Sequence, residues 1–135
     1  MHIPSDINIL LVDDSEAQIN EARSLLQELG FKNFECVSNG IEALKLISSR
    51  IGRPNQVNLI LIDYQMPQMD GLQLLRALRQ SSPTMNLPIL CMTGKGDFNV
   101  VTEFVKAKVS QMLVKPLKKD ELQLRLQDAW KKHNH

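Results

Sequence analysis

Two adjacent carboxylates, Asp13 and Asp14, directly follow the apolar run Ile7–Val12. Asp63 follows Val57–Ile62, Thr93 follows Ile89–Met92, and Lys115 follows Gln111–Val114. One acid after an apolar run is ordinary helix-capping chemistry. Complementary polar groups after four such runs point instead to a shared site. Three carboxylates drawn together repel, and burying them without compensation is costly. A hard divalent cation relieves that repulsion, and Mg²⁺ characteristically takes one or two protein carboxylates while keeping waters for substrate oxygens. Asp13 and Asp14 are neighbours able to reach one ion, which leaves Asp63 facing outward as a nucleophile. Carboxylates accept phosphoryl groups as acyl phosphates. Such a transfer needs mainly positioning and charge neutralisation. Mg²⁺ would neutralise one side of the phosphoryl oxygens and Lys115 another, with the Thr93 hydroxyl donating to a third.

These residues meet only if the chain brings the run ends to one edge. Strand-length apolar runs alternate with amphipathic stretches of helical length. Ile7–Val12 is followed by a helix over Ser15–Leu29, with Ser15 near its start and Gly30 just past its end. Phe34–Val37 reads as a second strand, Asn39–Ser49 as a helix, and Arg50–Gln56 as a loop carrying Gly52 and Pro54. Val57–Ile62 is the third strand, and Asp70 caps a helix running to about Gln80. Ile89–Met92, Phe98–Lys108, Gln111–Val114 and Lys119–Lys132 complete five strand–helix units. Right-handed crossovers then give an α/β fold, a doubly wound, five-stranded parallel sheet with helices on both faces. The usual order for five strands is 2-1-3-4-5, flavodoxin-like, with ligands bound beyond the carboxyl ends where the order reverses. One domain is expected, with a core of about residues 7–132.

Composition narrows the classes. The 135 residues are 43% hydrophobic and 23% charged, with a formal net charge of +1. That balance suits a globular domain and disfavours a dedicated nucleic-acid surface. No apolar run approaches the ~20 residues of a membrane span, and the first residues lack a signal-peptide pattern. Cys36 and Cys91 lie inside apolar runs and read as reduced core thiols of a cytoplasmic protein.

Four segments, in order and suitably spaced, carry a resemblance: Leu10–Ser15 (LLVDDS), Leu61–Leu72 (LIDYQMPQMDGL), Met92–Asp97 (MTGKGD) and Leu113–Leu117 (LVKPL). Together they resemble the response-regulator receiver domains of two-component signalling, over nearly the whole chain. The stretch from Met92 to Val109 looks closest to chemotaxis-type stand-alone receivers. The resemblance implies a phosphorylation-activated switch, with Asp63 as the phosphoacceptor. It implies Mg²⁺ ligated by Asp14, Asp63 and the backbone carbonyl of Gln65, with Asp13 acting through a metal-bound water. Thr93 and Lys115 become the phosphate-sensing pair, and Lys115-Pro116 a cis peptide. The implied donor is a histidine kinase or histidine phosphotransfer protein. The implied reader is a downstream protein or an output domain outside this stretch, with no direct nucleic-acid or membrane partner. Beyond self-phosphorylation and self-dephosphorylation, no enzymatic turnover is implied.

The chain departs from the family pattern at several positions. The switch position three before the lysine, commonly aromatic, is Met112, a flexible gap-filler. The position where the family's fourth helix ends in glycine is Lys108. A left-handed backbone there costs roughly 1 kcal/mol. Gln65 and Lys95, the variable positions flanking the phosphoryl group, are long and polar, and would modulate its lifetime by covering it. Gly94, with no side chain, would keep the mouth of the site open.

Other signals read as structural. His2, His133 and His135 fall at the chain ends, and Lys131 and Lys132 suit a helix C-terminus. Phe98, Val101, Phe104 and Val105 are expected to face mostly the core, the alternative being that part of the stripe is exposed as a partner surface. Two competing readings are a haloacid-dehalogenase-like phosphatase and a receiver-like module that signals without phosphorylation. The phosphatase would place its nucleophile after the first strand, with a second acid two positions on, whereas here Asp13 and Asp14 adjoin and Ser15 follows.

Overall fold

The computed structural model describes residues 3–94 and 97–134. Lys95 and the side chain of Phe98 lie outside the described residues. The elements run β1 (Asn8–Val12), α1 (Glu16–Glu28), β2 (Asn33–Val37), α2 (Gly40–Arg50), β3 (Leu59–Asp63), α3 (Gly71–Arg79), β4 (Ile89–Thr93), α4 (Phe98–Lys106), β5 (Gln111–Val114) and α5 (Lys119–His133). All strand pairs are parallel, in the order β2-β1-β3-β4-β5.

Apart from Asn8 at the start of β1 and the terminal Asp63 and Thr93, the central strands are apolar because both faces are covered. Alternate residues point to opposite sides of a strand. Ile9, Leu11, Leu59, Leu61, Leu90, Met92 and Leu113 pack with Ala22 and Leu26 of α1 and Leu122, Leu126 and Ala129 of α5. Leu10, Val12, Ile60, Ile62, Ile89 and Cys91 pack with Ala43 and Ile47 of α2, Leu74, Leu75 and Leu78 of α3, and Phe104 of α4. Asp13, Asp63 and Lys115 continue the parity of the first set, so they emerge on the α1/α5 side of the sheet edge. Thr93 continues the parity of the second.

Local chemistry sets the element ends. Ser15 and Asn39 accept the backbone N–H groups of Gln18 and Glu42 as N-caps. Asp70 forms a full capping box with Gln73. β3 begins at Leu59 rather than Val57 because Asn58 turns its amide to β1, where its Oδ1 accepts the Asn8 N–H at 2.8 Å. α4 ends at Lys106, two residues early, and Lys108 does enter the left-handed region at φ 68°. Its carbonyl is held there by Arg79 Nε at 2.9 Å. The same guanidinium donates to the carbonyls of Met85 and Leu87 and to Ser110 Oγ, tying α3 to the segments that precede β4 and β5. His133 is not at a loose end: it belongs to α5, and its Nε2 lies 2.7 Å from Ser110 Oγ. The stripe on α4 is also only partly core. Phe104 is fully buried, Val101 is half-buried, and Val105 is 63% exposed.

Gly71 is where the fold touches the site most directly. Its N–H donates to the Tyr64 carbonyl at 2.8 Å. A Cβ added there would lie 2.5 Å from the backbone oxygen of Asp63 and 3.0 Å from Ile62 Cγ2. Backbone cannot yield as a side-chain tip can. Gly71→Ala is therefore expected to destabilise the protein by about 1–3 kcal/mol, the usual range for overpacking, read as a lowered urea midpoint. An unchanged midpoint would mean that the turn after β3 relaxes freely.

Candidate functional site

The carboxyl ends of β1, β3, β4 and β5 surround a cleft of about 430 Å³, lined by Asp14, Asp63, Thr93 and Lys115 among others. One carboxylate oxygen from each of Asp13, Asp14 and Asp63 lies within 4.8 Å of the others. Asp13 is 2% exposed and Asp63 5%, whereas Asp14 is exposed. Asp13 is anchored from behind, its Oδ1 accepting the Ser15 N–H at 3.0 Å. Asp14 and Asp63 line the cleft itself. Three oxygens at this spacing, beside a cleft with room for waters, suit a hard divalent cation.

The Lys115 ammonium donates to Asp63 Oδ1 and to Gln18 Oε1. Its backbone N–H donates to the Thr93 carbonyl at 2.8 Å, and the following Lys115-Pro116 peptide is cis, as expected. Thr93, 3% exposed, ends β4 on the opposite wall. Gly94 lines the mouth, and its N–H donates to Asp97 Oδ2 at 3.2 Å. Among the described residues a Cβ on Gly94 would meet only that oxygen, at an ordinary 3.5 Å, so none of them sterically requires a glycine there. Gln65 is exposed and lines both the cleft and a neighbouring depression with Met66, Pro67 and Asp70.

Met112 is half-buried in β5 and packs with the cluster under α3 and α4. An aromatic contact to α4 exists nonetheless, from a residue not singled out in sequence. The Tyr64 ring meets Phe104 edge-on at 5.4 Å, and the Tyr64 N–H donates to the Met92 carbonyl at 2.9 Å. Gln18, Ser15 and Asp97 were likewise unremarked as cleft-lining residues.

Burial pushes the Asp13 and Asp63 carboxyls above the ordinary carboxylate range. The Ser15 N–H opposes the shift at Asp13, and Lys115 opposes it at Asp63. A carboxyl raised in the folded state costs stability when ionised. The cost is complete above its folded pKa and is relieved as pH falls through that value. Metal-free protein is thus expected to become more stable as pH drops from neutrality toward the ordinary carboxylate range. Asp13→Asn keeps an acceptor for Ser15 and removes one charge, so it is expected to melt higher at neutral pH and to show a flatter pH dependence. Melting curves in chelator at several pH values test this. A lower melting temperature for Asp13→Asn at neutral pH would contradict it.

The sequence profile of the response regulator receiver domain matches residues 9–127. Among curated proteins, the chain is 29% identical to the chemotaxis protein CheY of Pseudomonas aeruginosa over 128 residues, covering 95% of this chain and 99% of that protein. It is 30% identical to the transcriptional regulatory protein ZraR of Klebsiella oxytoca over 123 residues, covering 91% of this chain but only 26% of that protein. Among solved structures, the receiver domain of a sensor histidine kinase from Pseudomonas aeruginosa superposes with a TM-score of 0.77 at 27% identity, covering 90% of this chain and 95% of that one. That structure carries a magnesium ion coordinated in its active-site cleft. With the strand order, the acidic cluster and the lysine all in place, the chain belongs to the response regulator receiver domain family of two-component signalling.

Proposed function

We propose that this domain is switched by transfer of a phosphoryl group to Asp63. The observation that carries the reading is the ion pair between Lys115 and Asp63, beside a three-carboxylate cluster at the cleft. Bound Mg²⁺ would neutralise charge on the phosphoryl oxygens during transfer. Asp14, Asp63 and the backbone carbonyl of Gln65 would hold it directly, and the more buried Asp13 through water. Asp63 supplies the oxygen that bonds to phosphorus. The donor's bond from phosphorus to an imidazole nitrogen breaks, and its electron pair stays on the departing ring. Lys115 and Thr93 then bind phosphoryl oxygens, which draws the ends of β4 and β5 toward Asp63. The natural donor in this reading is a histidine kinase or histidine phosphotransfer protein, and the reader is a downstream protein or a further domain. The protein turns over no external substrate. Its two free cysteines suit the reducing cytoplasm, and no helix among the described residues is long and apolar enough to cross a membrane.

The test is incubation with acetyl phosphate and Mg²⁺, followed by intact-mass measurement. A single added phosphoryl group, lost in chelator controls, is expected. An unmodified mass at saturating donor would exclude the reading. Gln65 is further proposed to lengthen the phosphorylated state by shielding it from in-line water. Gln65→Ala is expected to speed dephosphorylation severalfold, by up to ~1.4 kcal/mol of barrier, measured as decay after donor removal in excess Mg²⁺. Unchanged decay would remove Gln65 from that role. The partner role proposed for Lys95 lies outside the described residues and is tested by the same decay measurement on Lys95→Ala.

A further inference from the structure

Two helices of this protein start with the same spacing, a capping residue followed three positions later by glutamine. At α3, Asp70 and Gln73 use it in the ordinary way. Asp70 Oδ1 accepts the Gln73 N–H at 2.8 Å, and Gln73 Oε1 accepts the Asp70 N–H at 2.9 Å. At α1 only half the device forms. Ser15 Oγ accepts the Gln18 N–H at 3.3 Å, but the Ser15 N–H donates to Asp13 Oδ1 at 3.0 Å. A carboxylate is the stronger acceptor for that single proton. Asp13 thereby takes over the capping duty of the glutamine and frees the Gln18 side chain. Gln18 extends toward the sheet edge instead, where its Oε1 accepts from the Lys115 ammonium.

We infer that Gln18 is a positioning residue for the switch, holding the Lys115 ammonium at the α1 wall of the cleft, ready for a phosphoryl oxygen on Asp63. The inference rests on the proposed phosphorylation of Asp63. Lys115 has three N–H donors, of which Asp63 Oδ1 and Gln18 Oε1 each take one. Among the described residues the third has no acceptor, which leaves it for an incoming oxygen. The flexible four-carbon stem of a lysine otherwise loses much rotamer freedom on binding. A neutral acceptor removes part of that loss in advance without adding a fourth negative charge to a site that already holds three. Gln18 and Lys115 are also the two residues shared by the polar cleft and an adjoining pocket of about 270 Å³, otherwise lined by Met92, Pro116, Leu117 and the acidic Glu21. Their contact forms part of the wall between the two, so loss of the Gln18 acceptor would leave the lysine head able to swing out of the cleft.

Gln18→Met separates this role from packing. Methionine has nearly the same length and helix propensity but lacks the strong acceptor. The probe is beryllofluoride with Mg²⁺, a phosphoryl mimic, titrated into the parent, Gln18→Met, Lys115→Ala and the double variant. Gln18→Met is expected to weaken binding about tenfold, in line with one hydrogen bond to a charged group. It is expected to add nothing further in the Lys115→Ala background, because the glutamine acts through the lysine. The ¹⁹F resonance of the fluorine nearest the lysine should also shift in Gln18→Met. Equal losses in both backgrounds, or no loss in either, would overturn the inference. A parent that fails to bind the mimic would count against phosphorylation of Asp63 itself. The resting contact is tested separately by acylation of Lys115, followed by peptide mass spectrometry. Gln18→Met should raise its reactivity several-fold, and unchanged reactivity overturns the inference whatever the mimic does.

Discussion

Asp63→Asn is expected to gain no phosphoryl mass from acetyl phosphate and Mg²⁺ under conditions that modify the parent fully. The amide is nearly isosteric, so the packing around β3 and the turn held by Gly71 should survive, and the variant should melt cooperatively. What disappears is the anionic oxygen that bonds to phosphorus. An amide is too weak a nucleophile to replace it, so the expected result is loss of the reaction rather than a slower version. The hydroxyl-bearing residues Ser15, Tyr64 and Thr93 also line the cleft. Any residual modification should therefore be located by peptide mass spectrometry. Phosphoryl transfer at a parental rate in a folded Asp63→Asn protein would show that Asp63 is not the acceptor.

Lys115→Ala should produce the second large effect, first on stability and then on signalling. Lys115 is the main group opposing the burial-driven rise of the Asp63 carboxyl. Without it, the folded-state pKa of Asp63 rises further. Ionised Asp63 then costs more above that pKa, and the cost fades as pH falls through it. Removing one partner of a fully buried ion pair costs about 3–5 kcal/mol. The Lys115 side chain is 21% exposed, so solvent screening lowers the expectation to about 1–3 kcal/mol at neutral pH. Urea midpoints of metal-free parent and variant should converge in mild acid. Midpoints that stay equally far apart at both pH values would show that the loss is not tied to the Asp63 charge. With Mg²⁺ present, small-molecule phosphorylation should persist, because the metal supplies most of the neutralisation. Phosphorylated Lys115→Ala should nonetheless bind its protein partner little better than the unphosphorylated form. Full phosphorylation-dependent binding would remove Lys115 from the switch.

The fold was legible in the chain because its signals are local and repeated. Period-two parity and continuous apolar runs mark strands buried on both faces, and capping residues mark helix starts within a residue or two. The handedness of crossovers then leaves few orders for five parallel strands. The site was legible for the same reason: a strand delivers its last residue to a known edge, so Asp13, Asp14, Asp63, Thr93 and Lys115 could be placed together without coordinates. One misreading came from judging a residue by position alone: His133 looked terminal but closes onto Ser110 through the packing of α5. Spacing also left open which part of the α4 stripe is exposed, and packing decided it, burying Phe104 and leaving Val105 outside the core.

Gln18 marks the boundary between the two kinds of information. By sequence it is indistinguishable from Gln73, since both stand three residues after a good N-cap. Which one closes a capping box depends on whether another acceptor reaches the cap N–H first. At α3 none does among the hydrogen bonds described. At α1 the buried carboxylate of Asp13 does, because β1 ends just before the helix begins. That competition is settled by the geometry of one turn, and its consequence appears at Lys115, just past β5 and far along the chain. The sequence by itself determined which residues gather at the sheet edge. Only the tertiary structure decided which neutral side chain holds the lysine, because a hydrogen bond goes to whichever acceptor the folded chain brings within reach.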